Sequence, residues 1–266
     1  MQRYLTITAK QIFYLMKKII RAFFLLAFLN SIYFYGQIKS GEKFIFAGSY
    51  NMSGLMTQLA QITLITNIIT TSKNTYLHLS CELATYNKWD KFFKIRDVYE
   101  SYVDPLTLEP SLYKRNIDEG GFTKKEKYVI KNNRVESTSQ KRNKPEIKNK
   151  FAINSSTLDV VSLLYKIRTL DFTKMTIGKT SAFTIVFDEK QIPVQIKYMG
   201  LETVNAANLG SKSCYKISID AKTKVLKGTD KNLIWLTADK NKVPALMKFS
   251  IPVGTGQLTL TSASGL

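Results

Sequence analysis

A single histidine, His78, stands in this 266-residue chain. Any Ser–His or Cys–His nucleophilic pair would have to use it. Along Leu77-His78-Leu79-Ser80-Cys81-Glu82-Leu83 the odd positions form the apolar face, so His78 belongs to the polar face with Ser80 and Glu82. No nucleophile elbow accompanies it. HExxH and CxxC spacings are absent, as are a phosphate-binding loop and a dinucleotide fingerprint; Gly120-Gly121 reads as an isolated turn. Glu100 and Asp104 share one face of an extended segment. A glycosidase places its two carboxyls ~5–9.5 Å apart, whereas four residues of strand span ~13 Å. Asp104 is therefore expected to cap the turn at Pro105, and Glu100 to pair with a lysine. Asp239 opens a turn for the same local reason, and Trp235 alternates with Leu233 and Thr237 as a core residue would. The sequence predicts no catalytic residue, no metal centre and no cofactor.

Two cysteines, Cys81 and Cys214, are present. An exported compartment would permit a disulfide. Alternation turns Cys81 inward and Cys214, which precedes the apolar series Tyr215, Ile217 and Ile219, to the other face; two free thiols are expected.

The elements that position these side chains are mostly strands. Period-2 runs separated by Gly, Asn and Ser predict strands over 41–50, 55–66, 75–86, 97–104, 108–117, 122–131 and 134–141. They continue over 180–187, 192–199, 211–220, 232–238, 243–251 and 257–261. Asn132-Asn133 tolerates positive φ and should close a hairpin; Asp188-Glu189-Lys190 and Asp239 to Lys242 should close two more. Trp89, Phe92 and Phe93 break the alternation at helical spacing, which predicts a short helix or turn over 87–94. The charged segment 141–150, with Pro145, reads as a mobile loop. One helix is expected over 157–168, with Ser156 as N-cap, Asp159 completing a capping box, and Val160, Leu163, Leu164 and Ile167 as the apolar stripe. The fold class is mainly β: a single antiparallel sheet in one domain, curled into a partly closed barrel around one packed α-helix near 157–168. Curling hides the edges that so many strands would otherwise leave.

The chain carries a formal net charge of +19, five units of it in residues 1–36, leaving +14 beyond them. Lys114 to Lys150 holds twelve Lys/Arg against five Asp/Glu, half of that excess. Lys124, Lys125, Lys127, Lys131, Arg134, Lys141, Arg142 and Lys144, followed by Lys148 and Lys150, crowd a hairpin and loop at 122–150. Stacking aromatics are not interleaved with these lysines, so nucleic acid is not the expected partner. A solvated hairpin with weak, salt-screened attraction to an anionic membrane surface is.

Lys17-Lys18-Ile19-Ile20-Arg21 precedes the apolar run Ala22 to Leu29, and a small residue, Gly36, precedes Gln37. That is the layout of a signal peptide over 1–36, with Met16 as an alternative start. The run is interrupted by Asn30 and Ser31 and falls short of the roughly 20 apolar residues of a spanning helix. No cysteine near Gln37 offers a lipid attachment point. Residues 37–266 are expected to be a soluble, periplasmic or extracellular domain.

Several segments together resemble the bacterial domain of unknown function 3108 family. They are Gly41-Glu42-Lys43-Phe44, then Phe92 to Asp104 (FFKIRDVYESYVD), Asp159 to Arg168 (DVVSLLYKIR), Ile234 to Pro244 (IWLTADKNKVP) and Val253-Gly254. The resemblance spans Gly41 to Leu260. It implies an exported, β-rich, single-domain protein and brings no catalytic residues. The leading functional reading is a non-enzymatic envelope protein binding an apolar or amphipathic ligand such as lipid, in a cavity that a curled sheet can enclose. A structural or interaction module with a filled core is the alternative, and a hydrolase on envelope polymers the third. N-terminal sequencing of the natural protein should find the mature chain starting near Gln37. An intact start at Met1 or Met16 in a membrane fraction would refute export by cleavage.

Overall fold

The structure is a computed structural model and describes residues 38–52, 54–221, 231–251 and 254–266. The expected signal segment, 1–36, lies outside these residues. The strands are β1 (Lys43–Met52), β2 (Leu55–Thr70), β3 (Thr75–Thr85), β4 (Arg96–Val103), β5 (Pro110–Glu119), β6 (Phe122–Lys131) and β7 (Arg134–Lys141). Then follow β8 (Ile147–Ala152), helix α1 (Val160–Arg168), β9 (Thr180–Phe187), β10 (Lys190–Asn205), β11 (Ser211–Ala221), β12 (Leu233–Thr237), β13 (Pro244–Ile251) and β14 (Gly254–Ser264).

All fourteen form one antiparallel sheet in the order β8-β7-β6-β5-β4-β3-β2-β1-β14-β13-β12-β11-β10-β9. Every neighbour is also a neighbour in sequence except the pair β1–β14, which joins the first strand to the last. The result is a circular meander interrupted at one place, between β8 and β9, where α1 is inserted in the chain. Two-residue turns supply the tight hairpins. Asn132 and Asn133 have φ of 50° and 57°, and Asp188 and Glu189 have 47° and 60°, the left-handed values that hairpin turns matching strand twist require. Register shifts at Gly48/Ser49 in β1 and Tyr198/Gly200 in β10 add local bend.

The sheet curls until its two edges face each other, and the gap is bridged without a strand ladder. At one end the segment after β8 crosses it. The Ile153 N–H donates to Asn133 O at 2.9 Å, and Leu158 pairs with β9, donating to Thr184 O (2.9 Å) and accepting from Val186 N–H (2.8 Å). Next to this pairing the β9–β10 turn reaches across to β5, β6, β7 and β8. Asp188 meets Arg115 and, at 2.8 Å, Lys124; both cations also hold Glu126. Glu189 accepts from Ser137 (2.6 Å) and Asn149 (2.8 Å), and its N–H donates to Tyr128 Oη at 2.9 Å. Contact between that turn and strands far from it in the sheet order is possible only in a barrel-like curl.

Helix α1 plugs the interior. Its Leu163 and Ile167 pack with Ile196, Ile217 and Leu236; its Val161 and Tyr165 pack with Leu79, Val103 and Tyr113; and Leu164 touches the cluster of Phe44, Phe46 and Leu64. A helix apolar on nearly every side suits a position inside a barrel. Its two ends carry the polar anchors. Asp159, fully buried, is the N-cap: its carboxylate accepts from Val161 and Ser162 N–H at 2.9 Å and from Ser101 Oγ at 2.5 Å, while Ser162 Oγ accepts from the Asp159 N–H. At the other end Arg168 makes a two-pronged pair with Glu42 (2.8 and 3.0 Å) and donates to Asn241 O at 2.9 Å, every ion 1% exposed.

The structure corrects three expectations. Helix α1 begins at Val160, not 157, because Ser156 sits at φ 57° and Leu158 is spent on pairing with β9; Asp159 is the cap itself rather than the third residue of the box. The segment 141–150 is not a loop throughout: Ile147–Ala152 is the edge strand β8, paired with β7 despite its charge, because its charged side chains alternate onto solvent-facing positions. The fourteen strands exceed the thirteen expected; β10 and β14 also run longer, β10 continuing past Gly200 through a bulge.

Burial pushes the Asp159 carboxyl up to about 6, against the lowering effect of its hydrogen bonds from Ser101, Ser162 and Val161. A folded-state value above the unfolded one of about 3.9 means that this group's contribution to stability is complete below pH ~4 and is lost as pH rises through about 6. The stability difference between the wild type and Asp159→Asn, from urea midpoints, should therefore move toward the variant by roughly 2–3 kcal/mol between pH 4 and pH 7. A pH-independent difference would contradict the assignment. At the opposite end, Arg168→Met should cost about 3–5 kcal/mol by leaving Glu42 buried and unpaired, and Glu42→Leu combined with Arg168→Met should recover most of the loss. Equal losses for the single and double variants would show that the pair does not act as a unit.

Candidate apolar binding site

With α1 filling one end of the barrel, the interior is hollow at the other. The hollow holds a cavity of about 460 Å³, lined by Gly48, Ala60, Ile62, Leu83, Phe249 and Leu258 from β1, β2, β3, β13 and β14, with Tyr50 and Thr85 at its margin. These are consecutive inward positions. Phe46 pairs with Ile62 and Leu260, Gly48 with Ala60 and Leu258, and Tyr50 with Gly256. Glycine at 48 and 256 admits neighbouring side chains onto the strand surface. A Cβ on Gly48 would come within 2.7 Å of Ile62 Cδ1, and one on Gly256 within 2.2 Å of the Phe249 ring. Gly256 thus lets Phe249 lie flat across β14, an aromatic covering a strand glycine.

The roof is the β3–β4 connection, 86–95, which is neither coil nor helix but a series of turns. Phe92 and Phe93 N–H donate to Trp89 O (2.9 and 3.0 Å), and Trp89 Nε1 donates to Gln58 O at 2.9 Å. Asp90 staples the base: it pairs with Arg96 at 2.6 Å and accepts from Thr85 Oγ1 at 2.6 Å, while Thr85 Oγ1 accepts from Ile95 N–H. The Arg96 hydrogen bond, then that of Thr85, holds the Asp90 carboxyl below its ordinary range. Phe93 lies against Gly120, where a Cβ would meet its ring at 2.7 Å. Trp89 and Ile95 line the cavity, and the exposed rings of Phe92 and Phe93 border its mouth.

The polar groups lie elsewhere. Under the same end, Asp97 hydrogen-bonds Glu119 and accepts from Asp118 N–H at 3.0 Å. Burial first, then Glu119, pushes its carboxyl up to about 6, but it is 3% exposed and does not line the cavity. A second hollow, of about 440 Å³, opens at the opposite end among Asp104, Glu109, Asn132 and Asn133. Asp104 there accepts from Leu106 and Thr107 N–H (2.9 and 2.8 Å), capping the Pro105 turn as its sequence position predicts.

The remaining sequence candidates are placed as follows. His78 is on the polar face, stacked on Tyr102 and 2.8 Å from Glu100, which pairs with it rather than with a lysine. Asp239 accepts from Asn241 and Lys242 N–H and closes its turn. Trp235 is buried but on the face opposite Ile234 and Leu236, with Lys216 and Lys248 over its ring. Cys81 and Cys214 are free; burial pushes their thiols up to about 12 and about 11. Among the basic candidates, Lys124 turns inward to Glu126 and Asp188, whereas Lys125, Lys127, Lys131, Arg134, Lys141, Arg142 and Lys144 are exposed. The cavity residues were not singled out in the sequence; the signals for them were inward glycines at 48 and 256 and the aromatic cluster at 89–93.

Among the described residues no group of three or more His, Cys, Asp or Glu is arranged to hold a metal ion. No curated protein matches the chain. Among solved structures, a β-barrel-like protein of the domain of unknown function DUF1849 from Brucella abortus superposes with a TM-score of 0.55 at 6% identity, over 85% of this chain and 97% of that one. A protein described as a candidate lipoprotein from Parabacteroides distasonis covers 87% of this chain and 98% of that one at 9% identity, with a TM-score of 0.35, too low to argue from. The first likeness shows the shared barrel-like fold alone. The family model "Protein of unknown function (DUF3108)" matches residues 49–261, which include the cavity lining other than Gly48, its roof and the helix, and the chain belongs to that family.

Proposed function

We propose that this protein binds an apolar or amphipathic ligand, a lipid acyl chain in particular, in the hollow end of its barrel, and that it does so in the cell envelope after export. The observation that carries the reading is the cavity itself: about 460 Å³, walled by Ala60, Ile62, Leu83 and Leu258, roofed by aromatic rings and opening at the barrel end. Pockets that take small molecules run roughly 300–1,000 Å³ and are mostly apolar. Each methylene moved from water into such a wall gains about 0.8 kcal/mol, so a chain is bound without any convergent polar group. The basic-then-apolar segment Lys17 to Leu29 supports export. Among the described residues no helix is long and apolar enough to cross a membrane.

A catalytic reading has the hydroxyls of Ser49, Tyr50 and Thr85 in the cavity lining but, among the described residues, no His, Lys or carboxylate in that lining to act as base. A filled structural module describes the half of the interior that α1 occupies, and the glycine-lined half departs from it.

Filling the cavity tests the proposal. Leu258→Trp should weaken binding of a fluorescent fatty acid at least ten-fold, since several methylenes lose their place in the wall. Lys125→Gln, outside the barrel, should bind as the wild type. Equal affinity for the wild type and Leu258→Trp would overturn the assignment.

A further inference from the structure

The roof of the cavity displays apolar side chains outward as well as inward. Phe92 is 80% exposed and Phe93 52%; Leu55, on β2 between Gln58 and the β1–β2 turn, is 74% exposed. They are not the loose tips of a floppy loop. The Asp90–Arg96–Thr85 staple, the Trp89–Gln58 bond and the seat of Phe93 on Gly120 fix the roof in place. Large apolar groups held rigidly in water at one end of a molecule mark a contact surface.

Within the roof segment the unpaired charge is of one sign, and the neighbouring acid of β5, Glu119, bridged to Ile95, turns to Asp97. Lys88, Lys91 and Lys94 alternate with the aromatics and are exposed, and the acid among them, Asp90, is consumed by Arg96. The neighbouring turns continue the pattern: Phe93 lies on Gly120, and Arg142 Nη1 stands 3.9 Å from the place of a Cβ on Gly121, with Lys144 beyond. Aromatic and aliphatic tips for the acyl boundary, ringed by cations for the headgroups, match an anionic bilayer surface.

We propose that this end of the barrel, with Phe92, Phe93 and Leu55 inserted and Lys88, Lys91 and Lys94 on the headgroups, docks on anionic lipid bilayers with the cavity mouth facing the membrane. The docking face is the barrel end, distinct from the lysine-rich outer face of β6. The geometry gives the acyl-binding reading its entry route and rests on that reading only for what passes through the mouth, since the contact itself needs no ligand in the cavity.

Vesicle co-sedimentation tests it, with phosphatidylcholine alone and mixed with phosphatidylglycerol. The wild type should bind the mixed vesicles at low salt and neutral ones at least ten-fold more weakly. Both Leu55→Ser with Phe92→Ser, and Lys88→Gln with Lys91→Gln and Lys94→Gln, should lose binding to mixed vesicles by about ten-fold or more. Their unchanged thermal midpoints would confirm folding, as these side chains are exposed. Lys125→Gln with Lys127→Gln should bind nearly as the wild type. Leu258→Trp, with its cavity filled, should still dock, which separates this proposal from the acyl-binding one. Binding that survives the Leu55/Phe92 change, or is lost in the Lys125/Lys127 variant, would place attachment on the sheet face and overturn the proposal. Loss in Leu258→Trp alone would overturn it too, by showing that a chain held in the cavity is the attachment.

Discussion

An arginine and a glutamate taken out of water are tolerable only in contact, and Glu42 and Arg168 meet through both oxygens and both terminal nitrogens. One lies at the start of β1, the other in the last turn of α1, 126 residues apart. Their pairing decides where the helix ends up. With Arg168 held also by the Asn241 carbonyl, and the N-terminus pinned through Asp159 to Ser101, the helix can neither slide along the barrel nor rotate within it. Because α1 is fixed in one half of the interior, the other half is left to the side chains of the sheet alone. Gly48, Ala60, Ile62, Leu83, Phe249 and Leu258 line the space that they leave open. The cavity is thus a consequence of the anchor as much as of its own walls.

The same helix explains why the barrel is not closed by hydrogen bonds. Its segment is inserted between β8 and β9, the two strands that would otherwise complete the meander. Their edges would be open templates for pairing with another chain. The molecule covers the gap with other means: backbone bridges from Ile153 and Leu158, and the Asp188-Glu189 turn next to the latter. That turn enters a concave face where Arg115, Lys124 and Glu126 point inward, so charge joins the apolar packing of Tyr113 and Tyr128 beneath β5 and β6. The interior is divided accordingly, with apolar wall on the β1, β2 and β14 side and an ion network on the β5 and β6 side.

Much of this was legible in residue order. Alternation located most strands, the inward face of Cys81 and the outward one of His78; Asn132-Asn133 announced its hairpin through tolerance of positive φ. Asp104 and Asp239 read correctly as turn caps because that chemistry is local. What could not be read was set by distant partners. The helix start moved because Leu158 found β9, and β8 formed because β7 offered an edge to a segment whose own composition argued for a loop. Lys124 resembled its exposed neighbours until Asp188, 64 residues away, drew it inward. The cavity was hidden for the same reason: a glycine within a strand is silent until its cross-strand neighbours are known.

On the proposed function, the hollow end of the barrel holds a lipid chain in the native protein. Native mass spectrometry of protein released gently from its own envelope tests this most directly. The account predicts a species heavier than the bare mature chain by the mass of one amphipathic lipid, with the bound mass lost on collisional activation and absent from Leu258→Trp prepared the same way. A bare chain mass for the wild type under those conditions, or an adduct equally present in the filled variant, would contradict it.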